Sequence, residues 1–483
     1  FRKMRKCLLL LCLLSNSLLW AQTEIAEPIS GTGYGDYIGG SFAINVDGSR
    51  FVVHSNRILQ QSIQGRLLTY DWNGFEWETT TPSIDGMLNE IYYHTGFDLS
   101  EDGHRLVAPY AKDGIYSLHR GFYTFEWTNE EWLLIDSTES PATDEQFADK
   151  LKLSEDGNFL ICSSYGYTTK FHDYPGVIRV YQWNGTSWQQ RGSQIEEEQV
   201  NAGFGHAVDI SADGNRIVFS ANLFDGDIYS QGRVYTYEWD GIDWIPMSPL
   251  FEGQQEVAQL GTSVELSREG NQLTIGTAQG GPDFMVGLVQ NYLWQNGSWE
   301  PMGQDININP YGGHDVEVSL SGNRILIAAP AYGSNLGNTP RVLAYDWDGE
   351  TWNLSGIIDH DNYYSRWAHK IGLSGNGDRL LIGEAHYGSQ DFGRVYSYGL
   401  STLNTQPKPQ QTYSLHPTIV VEELTIPPGL SFESLEIYDA NGRFVLSQQN
   451  TSRIIDTSSL PSGYYILVLN DPNHPHVFRF IKQ

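Results

Sequence analysis

Six times along the chain two tryptophans stand five residues apart, bracketing a turn: YDWNGFEW (70–77), FEWTNEEW (125–132), YQWNGTSW (181–188), YEWDGIDW (237–244), YLWQNGSW (292–299) and YDWDGETW (345–352). These pairs hold twelve of the fourteen tryptophans. In a hairpin, residues so placed fall on one face of a two-stranded ribbon and become cross-strand neighbours. Trp239 and Trp244 are therefore expected to meet, with Tyr237 beside them. Aromatic cross-strand pairs stabilise a hairpin by roughly 0.2–1 kcal/mol each. In YLWQNGSW the Asn-Gly is displaced by one residue, which leaves the register of that hairpin open.

A second motif precedes each pair. It reads INVDGSRFVV, LSEDGHRLVA, LSEDGNFLIC, ISADGNRIVF, LSREGNQLTI, VSLSGNRILI and LSGNGDRLLI, and its glycines recur every 52 to 57 residues, from Gly48 to Gly377. Asp-Gly and Asn-Gly between alternating apolar residues mark tight hairpins. Each unit reads as four strands: an inner strand such as 207–211, a second after the Asp-Gly turn, a variable segment, a third ending at the first tryptophan, and a fourth starting at the second. One four-stranded sheet cannot bury both faces, so repeated sheets must pack on one another. Seven such units predict an all-β chain, a seven-bladed β-propeller. The seventh unit ends at YSYG (396–399) without a fourth strand. Ile29 lies as far before Asn45 as Ile195 lies before Ser211, so residues 22–29 supply the missing strand and close the ring, removing an exposed sheet edge.

These units, as in FGHAVDISADGNRIVFSA…GRVYTYEWDG, resemble FG-GAP-type propeller repeats, relatives of the integrin α-chain propeller. The likeness covers roughly residues 30–399. The Phe-Gly pair is intact at Phe204-Gly205 and varies to Ile38-Gly39, Phe147-Ala148, Leu260-Gly261 and Trp367-Ala368 elsewhere.

Both ends carry export signals. Basic residues, an apolar run and Ala21 form a secretory signal over 1–21, with cleavage expected before Gln22. The run is too short for a good membrane anchor, so no membrane span is expected in the mature chain. Cys162 alone remains after processing, which excludes an internal disulfide. Residues 401–412 read as a polar, proline-containing linker. Beyond it, 413–483 is expected to form a small β-sandwich. Asp439, Gly442 and Arg443, then Leu460-Pro461-Ser462-Gly463-Tyr464-Tyr465, then Lys482 resemble the C-terminal sorting domain of the type IX secretion system of Gram-negative bacteria. His416-Pro417 stands where that family usually has Asn-Pro. The resemblance implies engagement with outer-membrane secretion machinery, removal of the tail, and a secreted or cell-surface product.

Net charge is −29, from 58 acidic and 29 basic residues. Such a surface repels phosphate backbones, which excludes nucleic acid as a partner. The D-x-S-x-D-G of 98–103 and 209–214 echoes a calcium loop but lacks its closing carboxylate; Leu106 and Ile217 occupy the later position. A serine-braced turn is the expectation, with no cofactor and calcium the one ion left open. His206, His314 and His369 share one repeat position, but only two of their blades adjoin, so no metal site is assigned. No nucleophile elbow, zinc motif or phosphate loop occurs, and no catalytic residue is assigned.

Two candidate surfaces remain. Asp98, Asp209, Glu265 and Glu317 recur at one position of the innermost strand, with Lys152 among them, and are expected to line the channel. The Asp-Gly and tryptophan turns emerge on one side of the disc; the second-to-third-strand loops and blade connections emerge on the other. That variable side presents Tyr92, Tyr93, Tyr110, Tyr165, Tyr167, Phe224, Tyr229 and Tyr387, aromatics suited to stacking on sugars or anchoring a protein. The expectation is a secreted or surface binding module for a polysaccharide or a surface protein. Its rivals are a glycosidase or lyase using channel carboxylates and a structural matrix component.

Overall fold

The computed structural model describes residues 23–482, apart from 60–61, 88–95, 112–119, 142–146, 166, 169–172, 175, 198, 279–285, 309–311, 331–338, 361–365, 388–390, 401–418, 421–422, 427–433, 440–443, 450–453 and 471–475. Every regular element among them is a β-strand. The chain divides into two compact units, one ending at Asn404 and one beginning at Thr405.

The first unit is a seven-bladed propeller. In the fourth blade, Phe204–Ile210, Arg216–Ala221, Arg233–Trp239 and Trp244–Pro246 follow one another from inside to outside, all antiparallel. The other blades repeat that order, and their innermost strands are Phe42–Ile44, Asp98–Leu99, Phe147–Leu153, Ser263–Leu266, Asp315–Val318 and Trp367–Leu373. Each innermost strand touches the next, and Phe42–Ile44 touches Trp367–Leu373, so the ring closes. In the seventh blade the outer place is filled from the N-terminus. Thr23 pairs with Gly399 and Ile29 with Val395, both antiparallel to Arg394–Gly399.

All six tryptophan pairs are cross-strand partners. Their ring centroids lie 5.1–5.3 Å apart. The displaced Asn-Gly does not change that pairing: Trp294 still faces Trp299. Instead the turn tightens, with Gln295 pairing Ser298 around Asn296 and Gly297, both at positive φ. The outer tryptophan also reaches the preceding blade. Trp132, Trp188 and Trp299 donate Nε1–H to Thr69, Thr124 and Thr236 at 2.8, 2.8 and 3.0 Å.

The Phe-Gly variants share one geometry. Ile38, Phe147, Phe204, Leu260 and Trp367 are buried between blades. The residue after each is left-handed: Gly39, Ala148, Gly205, Gly261 and Ala368 have φ of 91°, 61°, 81°, 83° and 61°. The glycine also allows close approach, since a Cβ on Gly205 would stand 2.7 Å from Ser163 Cβ of the preceding blade. An apolar plug followed by a left-handed bulge therefore starts the innermost strand.

Blades are further clasped by the arginine that follows the Asp-Gly turn. Arg50, Arg105, Arg216 and Arg324 donate Nη1–H to the carbonyls of Gly103, Gly157, Gly270 and Gly377 of the next blade at 3.0, 2.7, 3.0 and 3.0 Å. Arg379 donates likewise to Gly48, joining the last blade to the first. The third blade has Phe159 at that position. There Arg191, from beyond the fourth strand, lies over Phe159 at 4.4 Å and over Trp239 at 4.5 Å, and donates to the Gly214 carbonyl at 2.5 Å.

The second unit is a five-stranded sheet in the order Ile419–Val420, His476–Lys482, Gly463–Asn470, Ser434–Asp439, Phe444–Gln449, with a two-stranded ribbon of Glu423–Thr425 and Ile454–Asp456. Leu424, Leu435, Ile437, Ile455, Leu460, Tyr465, Leu467 and Leu469 form its core. The Tyr465 hydroxyl donates to the Pro461 carbonyl at 2.8 Å. Gly442, Arg443 and His416-Pro417 lie outside the described residues.

Candidate functional site

The innermost strands enclose a channel of about 710 Å³. Asp98, Lys152, Asp209, Glu265 and Glu317 all line it, joined by Asp315 and Lys370 two residues earlier in the repeat. Two of the carboxylates brace the ring: Asp98 Oδ2 accepts the Leu153 N–H of the next blade at 2.8 Å, and Asp209 Oδ2 accepts that of Leu266 at 2.7 Å. Asp315 Oδ2 does the same for Ile371 at 2.9 Å. Lys370 Nζ donates to Asp315 at 3.1 Å and to Glu317 at 3.2 Å. Lys152 Nζ stands 4.0 Å from Glu265 Oε1, an ion pair beyond hydrogen-bond reach.

Crowded charge shifts these groups. Burial, then Asp209 beside it, pushes the Glu265 carboxyl well above the usual carboxylate range, against the pull of Lys152. Burial likewise raises Asp98 and Glu317, although Lys152 opposes it at Asp98 and Lys370 at Glu317. Burial disfavours the Lys152 ammonium, yet Glu265, Asp98, Asp209 and Glu317 together outweigh it and hold its pKa well above the lysine norm. Toward the turn side, Glu155 of the third blade pairs with Arg268 of the fifth. Burial and then Glu155 lift Glu101 to about 7.

His206, His314 and His369 lie along the loop-side end of the channel, as their shared repeat position requires. The rings of His314 and His369, on adjoining blades, are 4.3 Å apart. Burial, with Lys150 and His314 adding to it, drops His206 to about 3. Among the described residues no group of three or more His, Cys, Asp or Glu side chains could hold a metal ion. The D-x-S-x-D-G loops use their oxygens within the turn: Asp213 Oδ1 accepts from Ser211 Oγ at 2.7 Å and from Asn215 N–H at 3.0 Å.

The variable side divides the aromatic candidates. Tyr229 is 66% exposed. Tyr165 is half-buried. Tyr387 is half-buried under Arg394, whose Cζ lies 3.3 Å above the ring. Tyr167 belongs to a short ribbon, Tyr167–Thr168 with Asp173–Tyr174. Tyr92 and Tyr93 lie outside the described residues. Two expectations are corrected. Tyr110, at 2% exposure, is no loop residue: its strand continues to Ala111, and its ring crosses Gly121 to stack on Tyr123 at 4.1 Å. Phe224, at 8%, is tucked under Arg233, whose Cζ is 3.5 Å from the ring. Sequence reasoning missed Tyr34, 65% exposed on the connection from the closing strand to the first blade. Asp36 fixes that connection by accepting the Thr32 and Gly33 N–H groups at 2.9 and 2.8 Å. The repeat gave no signal for it because this connection occurs once.

The fold and its tail together define an exported β-propeller. Residues 416–483 match the family described as the secretion system C-terminal sorting domain, which marks the chain for type IX export to the cell surface or beyond. No helix among the described residues is long and apolar enough to cross a membrane. No curated protein matches the chain. Solved structures similar to it include Sqt1 from Chaetomium thermophilum, with a TM-score of 0.47 and 11% identity over 78% of this chain and 89% of that one. Oligogalacturonate lyase from Vibrio parahaemolyticus gives 0.45 and 10%, over 78% and 92%. The periplasmic gluconolactonase of Pseudomonas aeruginosa gives 0.41 and 14%, over 66% and 87%. None of these likenesses bears on what the chain does.

Proposed function

We propose that the exported propeller is a binding module that recognises a polysaccharide or a surface protein on its variable side. The observation that carries this reading is Tyr229, an exposed aromatic on a hydrogen-bonded platform. Ser230 N–H donates to Asp225 Oδ1 at 2.6 Å. Gln199 accepts the Asp225 N–H at 2.8 Å and donates back to its carbonyl at 2.9 Å. The Tyr229 carbonyl accepts Val257 N–H at 2.9 Å, and Phe224 anchors the loop from below. A loop backbone held this way loses little freedom when a ligand stacks on the ring, which favours affinity. Tyr34 is presented on the same side and is fixed in the same manner.

The channel carboxylates support binding over hydrolysis. Asp98 and Asp209 are committed to neighbouring backbone, and Glu317 to Lys370. The bulge geometry of Phe204-Gly205 and its variants supports reading the repeat as FG-GAP type. We further propose that the mature chain starts near Gln22 and loses residues from about 413 onward.

The test is a glycan and matrix-protein array probed with the secreted protein and three variants. Tyr229→Ala should lose most of the signal, while Asp240→Ala and Ile242→Ser, on the turn side, should retain it. Ile242 is 83% exposed, so that side also offers apolar surface. Loss in the turn variants with Tyr229→Ala unaffected would place binding on the other face. Release of reducing ends from a bound glycan, abolished by Glu265→Gln, would instead establish the glycosidase.

A further inference from the structure

The outer edges of the blades are not guarded alike. In five blades the outer strand breaks off and resumes as a second short piece. The breaks contain Pro82 in the first blade, Gly192 in the third, Pro249 in the fourth, Gly303 in the fifth and Pro28 in the seventh. In the sixth blade Trp352–Asp359 is unbroken but carries Gly356 beside its bulge. Proline, glycine and breaks of this kind hinder pairing with a further strand. The second blade has neither residue at its edge. Its outer strand, Glu131–Glu139, runs nine residues as EWLLIDSTE, without proline, glycine, lysine or arginine. A one-residue bulge at Ile135 bends it without ending it, since Leu134 pairs with Phe125 and Asp136 with Thr124.

This strand is terminal in its sheet, and among the described residues no strand pairs with its outer side. Such an edge leaves alternate N–H and C=O groups open to another strand. It is also apolar, with Leu133 and Leu134 at 53% and 49% exposure. And it is fixed in place. Trp132 donates to Thr69 of the preceding blade, and Ser137 Oγ donates to the Tyr110 hydroxyl at 3.2 Å. A strand fastened along its length needs no ordering before another pairs with it. Charge then selects the occupant. Glu126, Glu130, Glu131 and Glu139 are exposed along this hairpin, with Asp136 half-buried among them. No Lys, Arg or His occurs between Gly121 and Glu139. A second copy of the chain is disfavoured: antiparallel pairing of two such strands about Ile135 sets Glu131 against Glu139 at both ends, and like charges placed opposite one another are destabilising. A strand with basic residues at those places gains where a second copy loses.

We propose that the outer edge of the second blade, Glu131–Glu139, is a docking site for an extended basic segment of a partner protein, which adds to the blade as a fifth strand. Main-chain hydrogen bonds to the edge supply affinity. Apolar side chains beside Leu133 and Leu134, and Lys or Arg opposite Glu131 and Glu139, supply specificity. The site lies on the rim of the ring, apart from Tyr229, and does not rest on the reading of that surface. Attraction between exposed charges is screened by salt, so affinity falls as ionic strength rises.

The experiment is a fluorescence-anisotropy titration of the exported protein into a labelled peptide at low salt and neutral pH. The peptide has about nine residues, valine alternating with threonine, and lysine at both ends and in the middle. Saturable binding is expected. The same peptide with glutamate in place of lysine should not bind. A version N-methylated at alternate amides keeps the charge but cannot pair as a strand, and it should not bind either. Leu134→Lys places a charge on the apolar edge and should weaken binding at least about tenfold. Should that variant fold poorly, Glu131→Lys combined with Glu139→Lys, both at exposed positions, should turn the preference toward the glutamate peptide. No binding of the lysine peptide up to about 1 mM, equal binding of the N-methylated version, or equal affinity in Leu134→Lys would overturn the proposal. So would self-association of the protein that Leu134→Lys abolishes, because the edge would then belong to a second copy.

Discussion

Replacing Arg379 by methionine tests whether the arginine clasps hold the ring. The substitution keeps most of the hydrocarbon stem and removes the guanidinium, so it isolates the head group. Two things are lost. The Nη1–H no longer reaches the buried Gly48 carbonyl across the closure between last and first blades. The cation no longer lies 4.6 Å over Trp72 and 5.3 Å from Trp77. A hydrogen bond from a charged donor contributes about 1.5–3 kcal/mol and a partly desolvated cation–π contact about 0.5–2 kcal/mol. These overlap, and the desolvation of the guanidinium offsets part of them, so a net loss of about 2–3 kcal/mol is expected. Urea denaturation followed by tryptophan fluorescence reads it, and urea avoids the competing cation of guanidinium. Arg341→Met is the control, because its partner Asp359 is 54% exposed and the pair should contribute no more than about 1 kcal/mol. Arg191→Met should match Arg379→Met, although Arg191 stands outside the repeat position. If Arg379→Met fell within about 0.5 kcal/mol of wild type, or Arg191→Met proved harmless, the clasp would be geometry without energetic weight.

Three further outcomes are expected. Deleting residues 23–30 removes the outer strand of the seventh blade and the burial of Ile29, and should lower stability by several kcal/mol in the same assay; an unchanged transition would refute closure by that strand. Glu101 titrates near 7 when folded and near the ordinary carboxylate value when unfolded, so its protonated form favours the fold at low pH and that stability is lost as pH rises through 7. Glu101→Gln should therefore match wild type near pH 5 and exceed it by about 1–2 kcal/mol near pH 8, after allowing for partial exposure; an advantage larger at pH 5 would reverse the assignment. Intact-mass measurement of the secreted product should show a start near Gln22 and no tail, and a secreted species retaining Gln483 would count against removal of the sorting domain.

How far the sequence could be read depended on whether a feature repeats. The tryptophan pairs, the hairpin turns and the closing strand follow from local chemistry written many times, and the spacing alone brings Trp294 opposite Trp299 despite its shifted turn. Arg191 was illegible because it replaces a missing arginine in space, from a different strand, where Phe159 interrupts the pattern. Tyr110 and Phe224 looked like loop aromatics. Their burial depends on Gly121 leaving room for one ring and on Arg233 covering the other, and neither relation is local in sequence. The channel carboxylates were recognised as a set, but Asp98 and Asp209 bracing the next blade is a contact between units that no single unit displays.

The closing strand has a consequence for how the molecule comes to exist. Arg394 Nε donates to Ser30 Oγ at 2.9 Å across 364 residues of chain. Joining ends that far apart costs about 5 kcal/mol of chain entropy by itself. That cost is met only when blades already stacked hold the two ends near each other, so closure belongs to the end of folding, after six sheets have formed. A chain emerging in order from its N-terminus would carry Ile29 unpaired until Val395 follows. Moving residues 23–30 to follow Leu400 would turn that long-range pairing into an ordinary hairpin. Such a circular permutant should reach the same ring faster, because contact order falls while the contacts themselves stay the same.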